Sequence, residues 1–112
     1  MRAGRRFHFD AAHFLPEYEG KCEELHGHTY TLDVVVEGEL NKEGMVMDFN
    51  KLKGVVKKNV LDKLDHKNLN EIFQNPTAEN IASWIFEQLK DKVNLKIVRL
   101  YEGKSKWVEI EK

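Results

Sequence analysis

Near the start of the chain Phe7 and Phe9 alternate with His8 and Asp10. Further on, Tyr30, Leu32, Val34 and Val36 alternate with Thr29, Thr31, Asp33 and Glu37. A side-chain period of two belongs to a half-buried strand, so the pattern predicts strands over residues 5–15 and 28–38. Residues 16–27 hold Pro16, Gly20 and Gly27 among charges and read as a loop. Asn41 and Gly44 suit a turn over 39–44, and residues 45–47 suit a brief third strand. From Asp48 the period changes. Phe49, Leu52, Val56, Val60 and Leu64 recur at spacings of three and four, with Lys51, Lys53, Lys57 and Lys58 on the wet side. Capped by Asp48, this predicts an amphipathic helix over 49–63. Residues 65–76 read as a polar connection. Thr77 then caps a second helix with the stripe Ala78, Ile81, Ala82, Ile85 and Leu89. Residues 95–102 and 106–111, rich in Ile, Val, Leu, Tyr and Trp around Gly103, predict a terminal hairpin.

Strand and helix segments are segregated along the chain, which predicts an α+β domain with an antiparallel sheet and both helices on one face. The chain has 112 residues, no repeat and no linker, so residues 1–112 read as a single domain. A small sheet has two edges, and β-branched edges associate unless covered, so oligomerisation through the sheet is expected. The formal charge of -1 lacks the one-sign excess that a nucleic-acid or polybasic membrane contact needs. No apolar run approaches the roughly 20 residues of a membrane span, and no signal-peptide h-region follows the basic N-terminus. A single cysteine excludes an intrachain disulfide. The expectation is a cytoplasmic domain with neither nucleic acid nor membrane as partner.

Five histidines change the picture. His26-Gly27-His28 opens the long strand, where residues i and i+2 share a face and two imidazoles can converge on one ion. His13 closes the first strand. Antiparallel pairing of the two strands brings it beside that pair, giving three imidazoles and an open fourth position, as in catalytic zinc sites. His8 shares its parity with Arg6 and Asp10 and faces away. Cys22 lies four residues before His26. It is either a fourth zinc ligand or a thiol beside an open zinc, where the charge would favour the thiolate. Asp65 beside His66 can fix that imidazole's tautomer and raise its basicity. Glu102, at a strand end, is either a solvated hairpin residue or a carboxylate that accepts two hydrogen bonds from a guanidine-like ligand edge.

The set Phe9-Asp10-Ala11-Ala12-His13, Cys22-x-x-x-His26-Gly27-His28, Asp65-His66, Pro76-Thr77-Ala78-Glu79-Asn80 and Glu102 resembles the 6-pyruvoyl-tetrahydropterin synthase family over nearly the whole chain. The resemblance implies the tunnelling fold: four antiparallel strands with two helices on one side. In that fold three subunits close a barrel, and two trimers stack into a homohexamer with sites at the interfaces. It implies that His13, His26 and His28 hold Zn2+ and that Cys22 accepts a proton. It further implies that Asp65 and His66 activate Cys22, that Glu102 anchors the pterin, and that Thr77 and Glu79 line its pocket. The implied substrate is 7,8-dihydroneopterin triphosphate. The spacing of Cys22 from His26 resembles the queuosine-pathway branch, whose products are 6-carboxytetrahydropterin, acetaldehyde and triphosphate. A related branch carries Glu in place of this Cys and cleaves the side chain differently, and Cys22 argues against it. The alternatives are a pyruvoyl synthase that eliminates triphosphate without cleaving the side chain, and a non-catalytic zinc or pterin-binding protein.

Overall fold

The computed structural model describes residues 1–15 and 26–112. Two long strands, β1 (Arg2–His13) and β2 (His26–Glu37), pair antiparallel along their whole length, from Arg2 opposite Glu37 to His13 opposite His26. Strand β4 (Leu95–Glu102) pairs with β2, and β5 (Lys106–Glu111) pairs with β4, both antiparallel. The expected hairpin turns at Gly103, whose φ of 72° is a conformation that glycine tolerates without strain.

The sheet has five strands, not four. The fifth, β3 (Lys67–Asn68), runs parallel to β1 at its outer edge, giving the order β3-β1-β2-β4-β5. It lies inside the stretch expected to be a plain connection. A two-residue polar strand has no alternation to read, so only its bonds to β1 reveal it. The brief strand expected at 45–47 does not form. There the chain makes a turn, held by the Asn41 side chain accepting the backbone N–H groups of Glu43 and Met45.

The first helical rod starts at α1 (Phe49–Val56), where Asp48 accepts the backbone N–H groups of Asn50 and Lys51. It continues through a π-helical turn (Lys57–Leu61) into α2 (Asp62–Leu64). The spacing explains the wide turn. Leu52, Val56, Val60 and Leu64 are all fully buried and all four residues apart. At 3.6 residues per turn each such step overshoots the buried face by about 40°, and a π turn winds the stripe back. Phe49, expected in that stripe, is instead more than half exposed. The second helix, α3 (Ala78–Leu89), is capped by the Thr77 hydroxyl, which accepts from Asn80 N–H.

Both helices cover one face of the sheet. Phe7, Phe9, Tyr30, Leu32, Val34, Val98 and Leu100 meet Leu52, Val56, Val60, Leu64, Ile81, Ile85 and Leu89 in a single core. The other face is charged: Arg6 grips Asp33 with two bonds of 2.7 and 2.9 Å, and Arg99 donates to Glu109 at 2.6 Å. No described helix is long and apolar enough to cross a membrane.

Candidate functional site

The inward parity of β1 runs Phe7, Phe9, Ala11, His13, so the strand that builds the core delivers an imidazole into it. His13 is the one buried polar side chain among the described residues. On β2 the inward parity runs His28, Tyr30, Leu32. In the β1–β2 register Ala11 faces His28 and His13 faces His26. His13 and His28 are therefore diagonal neighbours, with ring centroids 4.8 Å apart and planes at 87°. Strand β4 ends opposite Tyr30 with Glu102, whose Oε1 lies 3.3 Å from His28 Nε2. Donor atoms of His13, His28 and Glu102 all lie within 4.8 Å of one another. The backbone places His26 on the rung beside His13; the His26 side chain and the whole of Cys22 lie outside the described residues.

Two imidazoles and a carboxylate converging in this way suit zinc. The surroundings of His13 suit it too. Its Nδ1 is 2.9 Å from the Pro76 carbonyl. A carbonyl only accepts, so the proton sits on Nδ1 and Nε2 is the basic nitrogen, the usual arrangement behind a metal-binding imidazole. The Tyr30 hydroxyl is 3.2 Å from the same Nδ1. Burial, and then the charge of Glu102, raise the Tyr30 pKa, so the phenol stays neutral. Pro76 stands in the motif set without a role and Tyr30 stands outside it; both contribute to the site. Tyr30 had a signal, since it shares the parity of His28 two residues on; a backbone carbonyl 63 positions from His13 had none.

Two clefts flank the histidine pair. One, of about 440 Å³, is bordered by His13, Thr77, Glu79, Glu102 and Lys106. The chain thus brings the expected pterin-side residues together on the histidine site. Thr77 borders this cleft while capping α3. The other, of about 520 Å³, is bordered by Asp10, His28, Thr29, His66 and Lys67.

Asp65 and His66 stand on this second side, just before β3. Asp65 Oδ1 accepts the Asp10 backbone N–H at 3.0 Å and lies 3.0 Å from His66 Nδ1. The His66 N–H donates back to the Asp10 carbonyl at 2.6 Å. His66 has a φ of 60°, the left-handed region that non-glycine residues occupy at a cost. Its side chain is 78 % exposed. The Asp10 N–H, followed by His66, holds the Asp65 carboxyl below its ordinary range. With Asp65 on Nδ1, His66 keeps Nε2 for other partners, on a residue that borders the second cleft. Asp10, which clamps this pair, also stands in the motif set without a role. His8 sits on the charged face, 3.1 Å from the Thr31 hydroxyl and turned away from the site.

A histidine pair at the mouth of such a sheet, with a carboxylate beside it and a second acid–imidazole pair across a cleft, suits metal-assisted acid–base chemistry on a small molecule. The chain belongs to the 6-pyruvoyl tetrahydropterin synthase family, which it matches over residues 3–112. It is 54 % identical to the dihydroneopterin monophosphate aldolase of Pyrococcus furiosus, over 95 % of this chain and 93 % of that protein. It is 37 % identical to the 6-carboxy-5,6,7,8-tetrahydropterin synthase of Haemophilus influenzae, over 99 % of both. The solved 6-pyruvoyl tetrahydropterin synthase of Caenorhabditis elegans superposes with a TM-score of 0.90 at 33 % identity, covering all of this chain and 95 % of that one.

Proposed function

We propose that this chain is a zinc-dependent lyase that cleaves the C1′–C2′ bond in the side chain of a dihydroneopterin phosphate. The preferred reading is aldol cleavage of the monophosphate. The observation that carries it is the 54 % identity, over 95 % of the chain, to a relative named for that reaction. Zinc held by His13, His28 and His26 would polarise the side-chain hydroxyls and acidify them.

The chain's own groups do the rest. Glu102 accepts the 2-amino and ring N–H groups of the pterin and so orients the side chain toward the histidines. A base removes the proton of the C2′ hydroxyl. The C1′–C2′ electron pair moves into the C6=N5 imine of the dihydropterin. C2′ leaves as the carbonyl of a two-carbon aldehyde, and a proton returned to C1′ gives the 6-hydroxymethyl product. The sequence offers three adjacent candidate bases, Cys22, Glu23 and Glu24, ahead of His26. His66, oriented by the ionised Asp65, supplies or takes the second proton near neutral pH.

A second reading is supported by the Haemophilus relative and by the Cys22-x-x-x-His26 spacing. It is the 6-carboxytetrahydropterin synthase of queuosine synthesis, acting on the triphosphate in the cytoplasm. It breaks the same bond but also expels triphosphate and releases acetaldehyde. Incubating zinc-loaded protein with dihydroneopterin monophosphate and triphosphate, and identifying the products, separates the two. A 6-hydroxymethylpterin and a phosphorylated aldehyde are expected. Acetaldehyde with inorganic triphosphate favours the second reading, and a pyruvoyl product or no turnover removes both.

The edges of the sheet, β5 on one side and the two-residue β3 on the other, support closure into a ring of copies. The homohexamer belongs to this reading, and its mass in solution tests it.

A further inference from the structure

Strands β4 and β5 turn around Gly103 so that Glu102 faces Lys106 directly across the ladder. The hairpin thus fixes a donor beside an acceptor. Lys106 Nζ lies 3.7 Å from Glu102 Oε1, and both border the same cleft with His13 and Thr77. The two differ in setting. The Glu102 side chain is 16 % exposed and held, while that of Lys106 is 72 % exposed at the cleft mouth. The hairpin's other lysine, Lys104, borders a separate cleft with Arg6 and Tyr101 on the charged face of the sheet.

A carboxylate with an ammonium beside it presents two acceptors followed by a donor. The edge of a pterin that a carboxylate grips presents two donors, the 2-amino group and N3–H, followed by an acceptor, the 4-oxo oxygen. The patterns are complementary in that order. We infer that Lys106 is a specificity-determining residue that donates to the pterin 4-oxo oxygen while Glu102 accepts from the 2-amino and N3–H groups. The inference rests on the reading of Glu102 as the pterin anchor and extends it from two contacts to three. It makes the site selective for 4-oxo over 4-substituted pteridines. It also separates Lys106 from the phosphate, which the side chain carries to the far end of the ligand.

The test uses two unreactive probes, 6-hydroxymethylpterin and its 4-thioxo analogue. The analogue keeps both donors but offers sulfur, a weak acceptor, in place of oxygen. Binding to zinc-loaded protein is measured by calorimetry. Wild type is expected to prefer the oxo probe by about tenfold, the scale of a hydrogen bond to a charged group. Lys106→Met is expected to bind both probes alike, with its loss confined to the oxo compound. Lys106→Arg retains the preference. Lys104→Met, the same charge change on the other face, also retains it. A tenfold preference that survives Lys106→Met overturns the assignment of Lys106 and leaves the pterin reading standing. If wild type binds neither probe, the pterin reading fails and this inference with it.

Discussion

Glu102 lies within ligand range of the histidine pair and on the wall of the pterin cleft, and one substitution decides which it serves. Glu102→Gln is nearly isosteric but turns one of two acceptor oxygens into an N–H donor, which would face a pterin N–H. The side chain is 16 % exposed, so its hydrogen bonds form largely out of water. Each such bond to a charged group is worth about 1.5–3 kcal/mol. Losing one weakens pterin binding by about 10- to 150-fold, since about 1.4 kcal/mol is a factor of ten. If zinc rests on the three imidazoles as proposed, its affinity is expected to change by less than about tenfold, the smallest effect usual for a group behind the ligands. Two titrations are needed: zinc against a chromophoric chelator, and 6-hydroxymethylpterin by fluorescence on zinc-loaded protein. If Glu102→Gln lowers zinc affinity by a hundredfold or more, the carboxylate is a metal ligand and the anchoring role is refuted. Unchanged pterin affinity refutes it as well.

Further substitutions probe the remaining parts. Cys22→Ala, Glu23→Gln and Glu24→Gln, assayed separately, should leave zinc content near wild type. Whichever residue is the base should lose about 10²- to 10⁴-fold in turnover, the usual range for a positioned acid or base; loss of zinc in any of these variants shows a ligand instead. Asp65→Asn tests the second acid–imidazole pair through pH. The Asp65 pKa is lowered, so its contribution to stability is present above the ordinary carboxylate range near 4 and fades as pH falls through the depressed value. The stability gap between wild type and Asp65→Asn in urea should therefore narrow from pH 7 toward pH 2. The gap is small because the side chain is 41 % exposed, and one that widens on acidification contradicts the assignment. Leu100→Ala removes a fully buried side chain from the core on β4, the strand that α3 packs against, and should cost about 2–5 kcal/mol in urea denaturation. A loss below about 1 kcal/mol shows that the core collapses around the gap.

How much of this was legible in the chain depended on whether a residue's role follows from a period. His13 and His28 were legible because strand parity and antiparallel pairing are both periodic facts. Once Phe7 and Phe9 face the core, His13 must, and the register follows from two strands of twelve residues that pair end to end. Glu102 was legible as the last residue of a patterned strand. Asp65 and His66 were named by the motif, but their placement was not. Their geometry depends on a left-handed backbone at His66, on a two-residue parallel strand and on the backbone groups of Asp10, none of which leaves a mark on hydrophobic order. The same limit hid the Pro76 carbonyl behind His13.

The π turn shows the intermediate case, in which the sequence carried the signal but helical reasoning passed over it. Four buried positions in strict steps of four do not fit an α-helix, where the face would drift by about 40° at each step and by about 120° over three. Either Leu64 would leave the core or the winding must slacken, and the rod slackens at Lys57–Leu61. Leu64 stays fully buried as a result. It is also the residue directly before Asp65, and the Asp65 N–H still bonds the Leu61 carbonyl at 2.9 Å. The slackened turn therefore sets the angle at which the rod ends, and with it where Asp65 and His66 meet β1. A substitution that restored regular α-helix there would swing the acid–imidazole pair around the rod while leaving the histidine pair on the sheet untouched.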